Sequence, residues 1–200
     1  MRDQSEPVGQ RLDGRERRSA RTRARIFDAA LAEFRRVGVE AASVARVARL
    51  AGVSRPSFYF HFPSKEHLLL ELQRRLEEEI VAAMSPIASP SQALHRFVDQ
   101  LIASEAELAS GELFRDILRL WARPPAALDL AEQRLPVVEE VVRRFLAHSR
   151  EGGRLASTPE RSALLFLAGV FGYLLGIGDP SDQRGEDLHA LVALHLGETL

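Results

Sequence analysis

Between residues 43 and 62 the chain leaves its backbone few choices. Val44, Val47, Ala48 and Ala51 recur at i, i+3, i+4 and i+7, one buried face of a short helix. Ala48 is small, so a neighbouring helix can approach closely. Gly52 follows where helices commonly end in a left-handed residue. Val53 supplies an apolar plug for the turn, and Ser54 carries the oxygen an N-cap needs. Arg55, Pro56 and Ser57 then form the first turn of a second helix, where proline is tolerated because those N–H groups have no intrahelical partner. Phe58 and Phe62, four apart, face the core. Arg55, Ser57, Tyr59, Phe60 and His61 are left facing outward. This is a helix-turn-helix. It suits an ordinary helical hairpin, and it suits a DNA reader whose second helix offers polar and aromatic side chains to base edges.

The rest of the 200 residues also reads as helix, with no alternating strand run and no hairpin turn. The expected fold is all-α with nine helices. Helix 1 runs from about Arg17 to Val37 and ends at Gly38. Helix 2 starts after Ser43, helix 3 after Ser54, and helix 4 runs from Pro63-Ser64 to about Met84. Ser89 caps helix 5, which ends near Ser110-Gly111, and helix 6 covers about Glu112 to Ala122. Helix 7 follows Pro124-Pro125, is kinked or interrupted at Pro136, and stops at Gly152-Gly153. Thr158 starts helix 8, to about Gly176, and helix 9 covers Glu186 to Leu196.

Net charge is -1, but its distribution is uneven. Residues 1–65 hold 14 Arg or Lys against 7 Asp or Glu, and residues 66–200 hold 13 against 21. A head at +7 on a body at -8 is what one end meeting a polyanion would require. A solvated charge run accounts for the Arg11 to Arg25 stretch equally well. The absence of cysteine removes disulfides, thiolate metal sites and cysteine nucleophiles. The longest apolar stretch, Ala163 to Gly178, has 16 residues, short of the roughly 20 a membrane-spanning helix needs. The first 25 residues lack an apolar signal core. These features point to a cytoplasmic protein with no membrane partner. No catalytic motif, cofactor motif or metal spacing is present, and the histidines read as isolated surface or core residues.

Several elements agree in order and spacing with one known family. Arg25-Ile26-Phe27-Asp28-Ala29-Ala30 with Phe34, Gly38, Ser43-Val44 and the run Ala51 to Glu66 followed by Leu68-Leu69 resemble the signature of TetR regulators, over roughly residues 20–72. The run Phe58-Tyr59-Phe60-His61-Phe62 with Lys65-Glu66 is the most diagnostic part. The resemblance implies a basic arm (1–18), a DNA-binding head (19–66) and a helical effector-binding and dimerisation body (67–200), with helix 4 as connector. It implies DNA contacts from Ser43, Ser54, Arg55, Ser57, Tyr59, His61 and Lys65, the one lysine in the chain. Two residues depart from the pattern: Pro56 stands where a small residue is usual, and Phe60 where histidine or tyrosine is common. Phe60 joins the DNA-contact set as a side chain suited to a thymine methyl or a sugar.

In the body, Ala163 to Leu175 is apolar almost all round, and such a helix must be covered on every side. A two-fold homodimer is therefore expected through helices 8 and 9, at Leu164, Leu167, Phe171, Leu174, Leu188, Leu191 and Val192. A buried hairpin within one chain is the alternative. Phe97, Leu101, Phe114, Leu118, Trp121 and Phe145 are candidate walls of a pocket for an apolar or aromatic effector, though an aromatic stripe of this spacing also makes plain core. The resemblance implies a repressor released from a palindromic operator by such a ligand acting through helix 4. The alternatives are a regulator governed by a protein partner and, in another class, a ligand carrier or enzyme.

The basic arm gives the first test. A chain lacking residues 1–16 should bind duplex DNA more weakly, with the slope of log affinity against log salt shallower by about 0.9 for each phosphate the arm neutralises. An unchanged affinity and slope in an anisotropy titration would remove the arm from the interface.

Overall fold

A computed structural model describes residues 14–108, 111–121, 136–177 and 183–198. Among the described residues the fold is all-α. The helices are α1 (Gly14–Ala41), α2 (Val44–Leu50), α3 (Arg55–His61), α4 (Lys65–Met84), α5 (Pro90–Glu107), α6 (Gly111–Trp121), α7 (Pro136–Arg150), α8 (Pro159–Gly172) and α9 (Arg184–Leu196), with a π turn over Tyr173–Ile177. They form two compact units, one ending at Leu68 and the other beginning at Leu69.

In the first unit α1 begins earlier than the apolar pattern suggests. Gly14 to Arg18, expected as arm, are already helical, since the arginines and Glu16 are good helix formers with no breaker among them. Gly38 leaves the helical conformation at φ 78°, where a side chain would be strained, and the chain resumes to Ala41. Ile26, Phe27, Ala30 and Phe34 of α1 are buried, as are Val47 and Ala48 of α2 and Phe58 of α3. One charged group lies in this apolar core. The Glu33 carboxylate is buried and receives Arg36 at 2.7 and 3.0 Å and Arg46 at 2.9 Å. The Arg46 bond ties α1 to α2. Hydrogen bonds from Arg36 and then Arg46 outweigh burial and hold the Glu33 carboxyl below the ordinary glutamate range.

In the second unit Ser89 and Thr158 cap α5 and α8 by accepting from the N–H groups of Gln92 and Arg161. Phe166 of α8 lies at the centre of an aromatic cluster, 5.9 Å from the Phe97 ring and 5.7 Å from the Phe145 ring. A buried guanidinium closes one end of this core. Arg144 of α7 donates to Glu140 at 2.7 Å, to the Met84 carbonyl at 2.8 Å and to the Ile87 carbonyl. It thus caps the last residue of α4 with a cation, where the helix dipole favours one.

Several expectations are corrected. The described part of α7 begins at Pro136, and residues 122–135, on the other side of the expected kink, lie outside the described residues. α5 ends at Glu107 with Leu108 as its cap, earlier than Ser110-Gly111. α8 gives way to the π turn at Tyr173, with Gly176 at φ 108°. His95 is not isolated: its Nδ1 lies 2.7 Å from His189 Nδ1, and His189 Nε2 is 3.0 Å from Asp99. Residues 1–13, the proline pair at 124–125 and the loop at 179–182 lie outside the described residues.

Acid should expose the role of Glu33. A carboxyl whose folded pKa is depressed contributes stability above its unfolded value, near 4.5, and loses it as pH falls through and below that value. Glu33→Gln should therefore lower the melting temperature at pH 7 and make the difference from wild type shrink below pH 4. A constant difference down to pH 3 would show that the ion pairs contribute nothing.

Candidate nucleic-acid interface

The turn between α2 and α3 is built from backbone hydrogen bonds that the sequence anticipates. The Gly52 N–H donates to the Arg49 carbonyl at 3.1 Å, and the Val53 N–H reaches back to Ala48 at 2.9 Å. This is the Schellman pattern, and it needs a left-handed residue where Gly52 sits at φ 65°. Ser54 then caps α3: its side chain accepts from the Ser57 N–H at 3.3 Å. Ser43 occupies the equivalent place before α2 with an extended backbone, but its side chain makes no cap bond. Ser43 is exposed, so its hydroxyl stays available.

α3 is anchored on one side. Phe58 and Phe62 are buried, with their rings 6.4 Å apart. That rotation sends Arg55, Pro56, Tyr59 and Phe60 into solvent, with Ser57 and His61 half-buried at the edges. Tyr59 is 45% exposed and Phe60 82% exposed. Tyr59 packs edge-on against Phe58 at 5.4 Å, and Phe60 against His61 at 5.2 Å, so both rings are oriented by neighbours while keeping a free face.

Two contacts here were not legible in the sequence. Arg23 of α1 donates to the His61 carbonyl at 2.7 Å and stacks over the Phe62 ring at 4.1 Å. It holds the C-terminal end of α3 against α1. Lys65, expected at a DNA phosphate, donates to the Glu40 carbonyl, so its ammonium also fastens the start of α4 to the end of α1. These partners are 38 and 25 residues apart, and no local spacing marks them. His61 feels both burial and Arg23. Burial, then the guanidinium charge, push its pKa below the ordinary histidine value, which keeps the ring neutral at pH 7.

The expected body residues fall into two groups. Phe97, Leu101, Phe114, Leu118 and Phe145 are all buried. The side chain of Trp121 lies outside the described residues. Of the residues expected at a dimer interface, Leu167, Leu174, Leu188 and Val192 are covered within the chain itself and serve its own core. Phe171 and Leu191 are half-buried, and Leu164 is 58% exposed. Leu165 and Leu194, not anticipated, are 54% and 68% exposed.

A family model described as bacterial regulatory proteins, tetR family, matches residues 26–72, which run from the core of α1 through the turn into α4. The chain belongs to the TetR family. It is 30% identical over 145 residues to the HTH-type transcriptional regulator TcmR of Streptomyces glaucescens, covering 69% of this chain and 64% of TcmR, slightly under two thirds of that relative. It is 27% identical over 177 residues to the HTH-type nicotine-responsive transcriptional repressor HdnoR of Paenarthrobacter nicotinovorans, covering 83% of this chain and 89% of HdnoR. The fold resembles that of FadR from Thermus thermophilus, a TetR-family repressor solved with lauroyl-CoA, with a TM-score of 0.66, 24% identity and coverage of 89% and 95% of the two chains. Among the described residues of this TetR-family chain, no helix is long and apolar enough to cross a membrane.

The state of His61 can be read directly. Its NMR titration midpoint should lie below 6.5, and Arg23→Gln should move it upward by removing a nearby positive charge. A midpoint unmoved by that substitution would assign the whole depression to burial.

Proposed function

We propose that this TetR-family chain is a DNA-binding transcriptional repressor that acts as a homodimer on a palindromic operator and is released by a small apolar or aromatic ligand. The observation that carries the reading is α3: two buried phenylalanines on one side, and Arg55, Tyr59 and Phe60 displayed on the other, in a head rich in arginine. Residues 19–66 would form the DNA-binding head, and residues 67–200 the effector and dimer body. Ser43, Ser54, Arg55, Ser57, Tyr59, Phe60 and His61 would face the groove and its phosphates. Lys65 would reach a phosphate while keeping its carbonyl bond, because an ammonium has three donors.

Two faces of a dimer must present α3 to successive major grooves about 34–36 Å apart. Leu164, Leu165 and Leu194 are the large apolar side chains that one copy leaves uncovered on α8 and α9, and they replace the buried leucines as the residues that would meet a second copy. Ligand response is supported by relatives: HdnoR is named as nicotine-responsive, and FadR was solved with an acyl-CoA. The closed aromatic packing of Phe97, Phe145 and Phe166 favours a second reading, control by a protein partner with no small effector.

The test is a binding-site selection on random duplex DNA with the purified protein. Recovery of a two-fold symmetric site is expected, with Arg55→Ala weakening binding about ten-fold while the melting temperature holds. Leu164→Glu with Leu165→Glu should give a monomeric mass. Retention of no duplex even at low salt would refute the DNA reading, and a wild-type monomer at micromolar concentration would refute the dimer.

A further inference from the structure

Two apolar residues of α3, Pro56 and Phe60, are four apart. On a helix that spacing places them on one stripe, and both are exposed. Phe60 is the most exposed large apolar side chain among the described residues. The apolar strip they form runs beside the polar strip of Arg55 and Tyr59, which share the same four-residue spacing. Its orientation is set from behind by Phe58 and Phe62 in the core and from the side by the edge-on contact of Phe60 with His61.

A bare aromatic ring on a polar face has few occupants that suit it. The surrounding head carries the chain's excess of arginine, which selects a polyanion over an apolar protein surface. Within the major groove of duplex DNA, base edges present donors and acceptors, and the one apolar feature they offer is the C5-methyl of thymine. A phenyl ring has no donor with which to bind a phosphate or a base acceptor, and Pro56 has no backbone N–H to offer either. Resting on the DNA-binding reading above, we infer that Pro56 and Phe60 form a methyl-reading strip, so that each half-site of the operator carries a thymine recognised through its methyl group. Arg55 and Tyr59 read or position through hydrogen bonds, and the apolar strip adds a discrimination that hydrogen bonds cannot make.

Deoxyuridine differs from thymidine by that methyl alone and keeps every hydrogen-bonding group. The experiment takes the duplex selected by the purified protein and replaces each thymine singly with uracil. Affinity should fall about four-fold at one or two positions per half-site, the value of one buried carbon group, and stay level elsewhere. Phe60→Ala should bind the thymine and uracil duplexes at those positions equally. Phe60→Leu, which keeps an apolar side chain, should retain part of the discrimination. The side chain is outside the core, so the melting temperature of each variant should match wild type.

Uniform indifference to uracil, or discrimination that survives Phe60→Ala, overturns the proposal. Phe60→Ala binding that is weakened on both duplexes while still preferring thymine also overturns it, and assigns Phe60 to the sugar. Failure to retain any duplex at low salt overturns the DNA reading itself, which separates the two failures.

Discussion

Burial of Phe58 and Phe62 is the constraint on which the head depends. α3 has only seven residues, too short to be stable on its own, so its existence rests on tertiary packing. Each phenyl ring removed from water contributes about 1.5–3 kcal/mol, enough to fix both the helix and its rotation. Once that rotation is set, the solvent face follows without further choice. Arg23 reinforces the arrangement from α1 by gripping the last carbonyl of α3 and lying across Phe62. The side chains offered to a partner are therefore presented on a rigid platform, and little ordering cost remains for binding.

The body solves a different problem. Arg144 and Glu140 put an ion pair inside the second unit, and such pairs cost desolvation that only complete hydrogen bonding offsets. Here the guanidinium also satisfies carbonyls at Met84 and Ile87, groups that a helix end and the turn after it would otherwise leave unpaired. The same residue thus fixes where α4 stops and where α7 packs. α8 shows the opposite imbalance. Its Phe166, Leu167 and Val170 are enclosed, while Leu164 and Leu165 on the remaining side are not. One chain covers most of an all-round apolar helix and leaves a strip over, which is why the exposed leucines rather than the buried ones carry the proposal of a second copy.

The turn at Gly52, the caps at Ser54, Ser89 and Thr158, and the buried pair Phe58 and Phe62 were legible because each depends on residues within five positions of one another. The contacts of Lys65 with Glu40, Arg23 with His61 and His95 with His189 left no mark in spacing, since the partners meet across separate helices.

The sequence by itself determined the helical class, the helix-turn-helix and the excess of arginine in the head, because periodicity, capping and charge are local or additive properties. Only the tertiary structure decided which apolar residues of α8 and α9 are spent on the chain's own core and which stay open. It also decided that Pro56 and Phe60, two separate apolar residues within residues 43–62, stand on one exposed strip. Exposure is a property of what neighbouring helices cover, and no window of sequence contains that information.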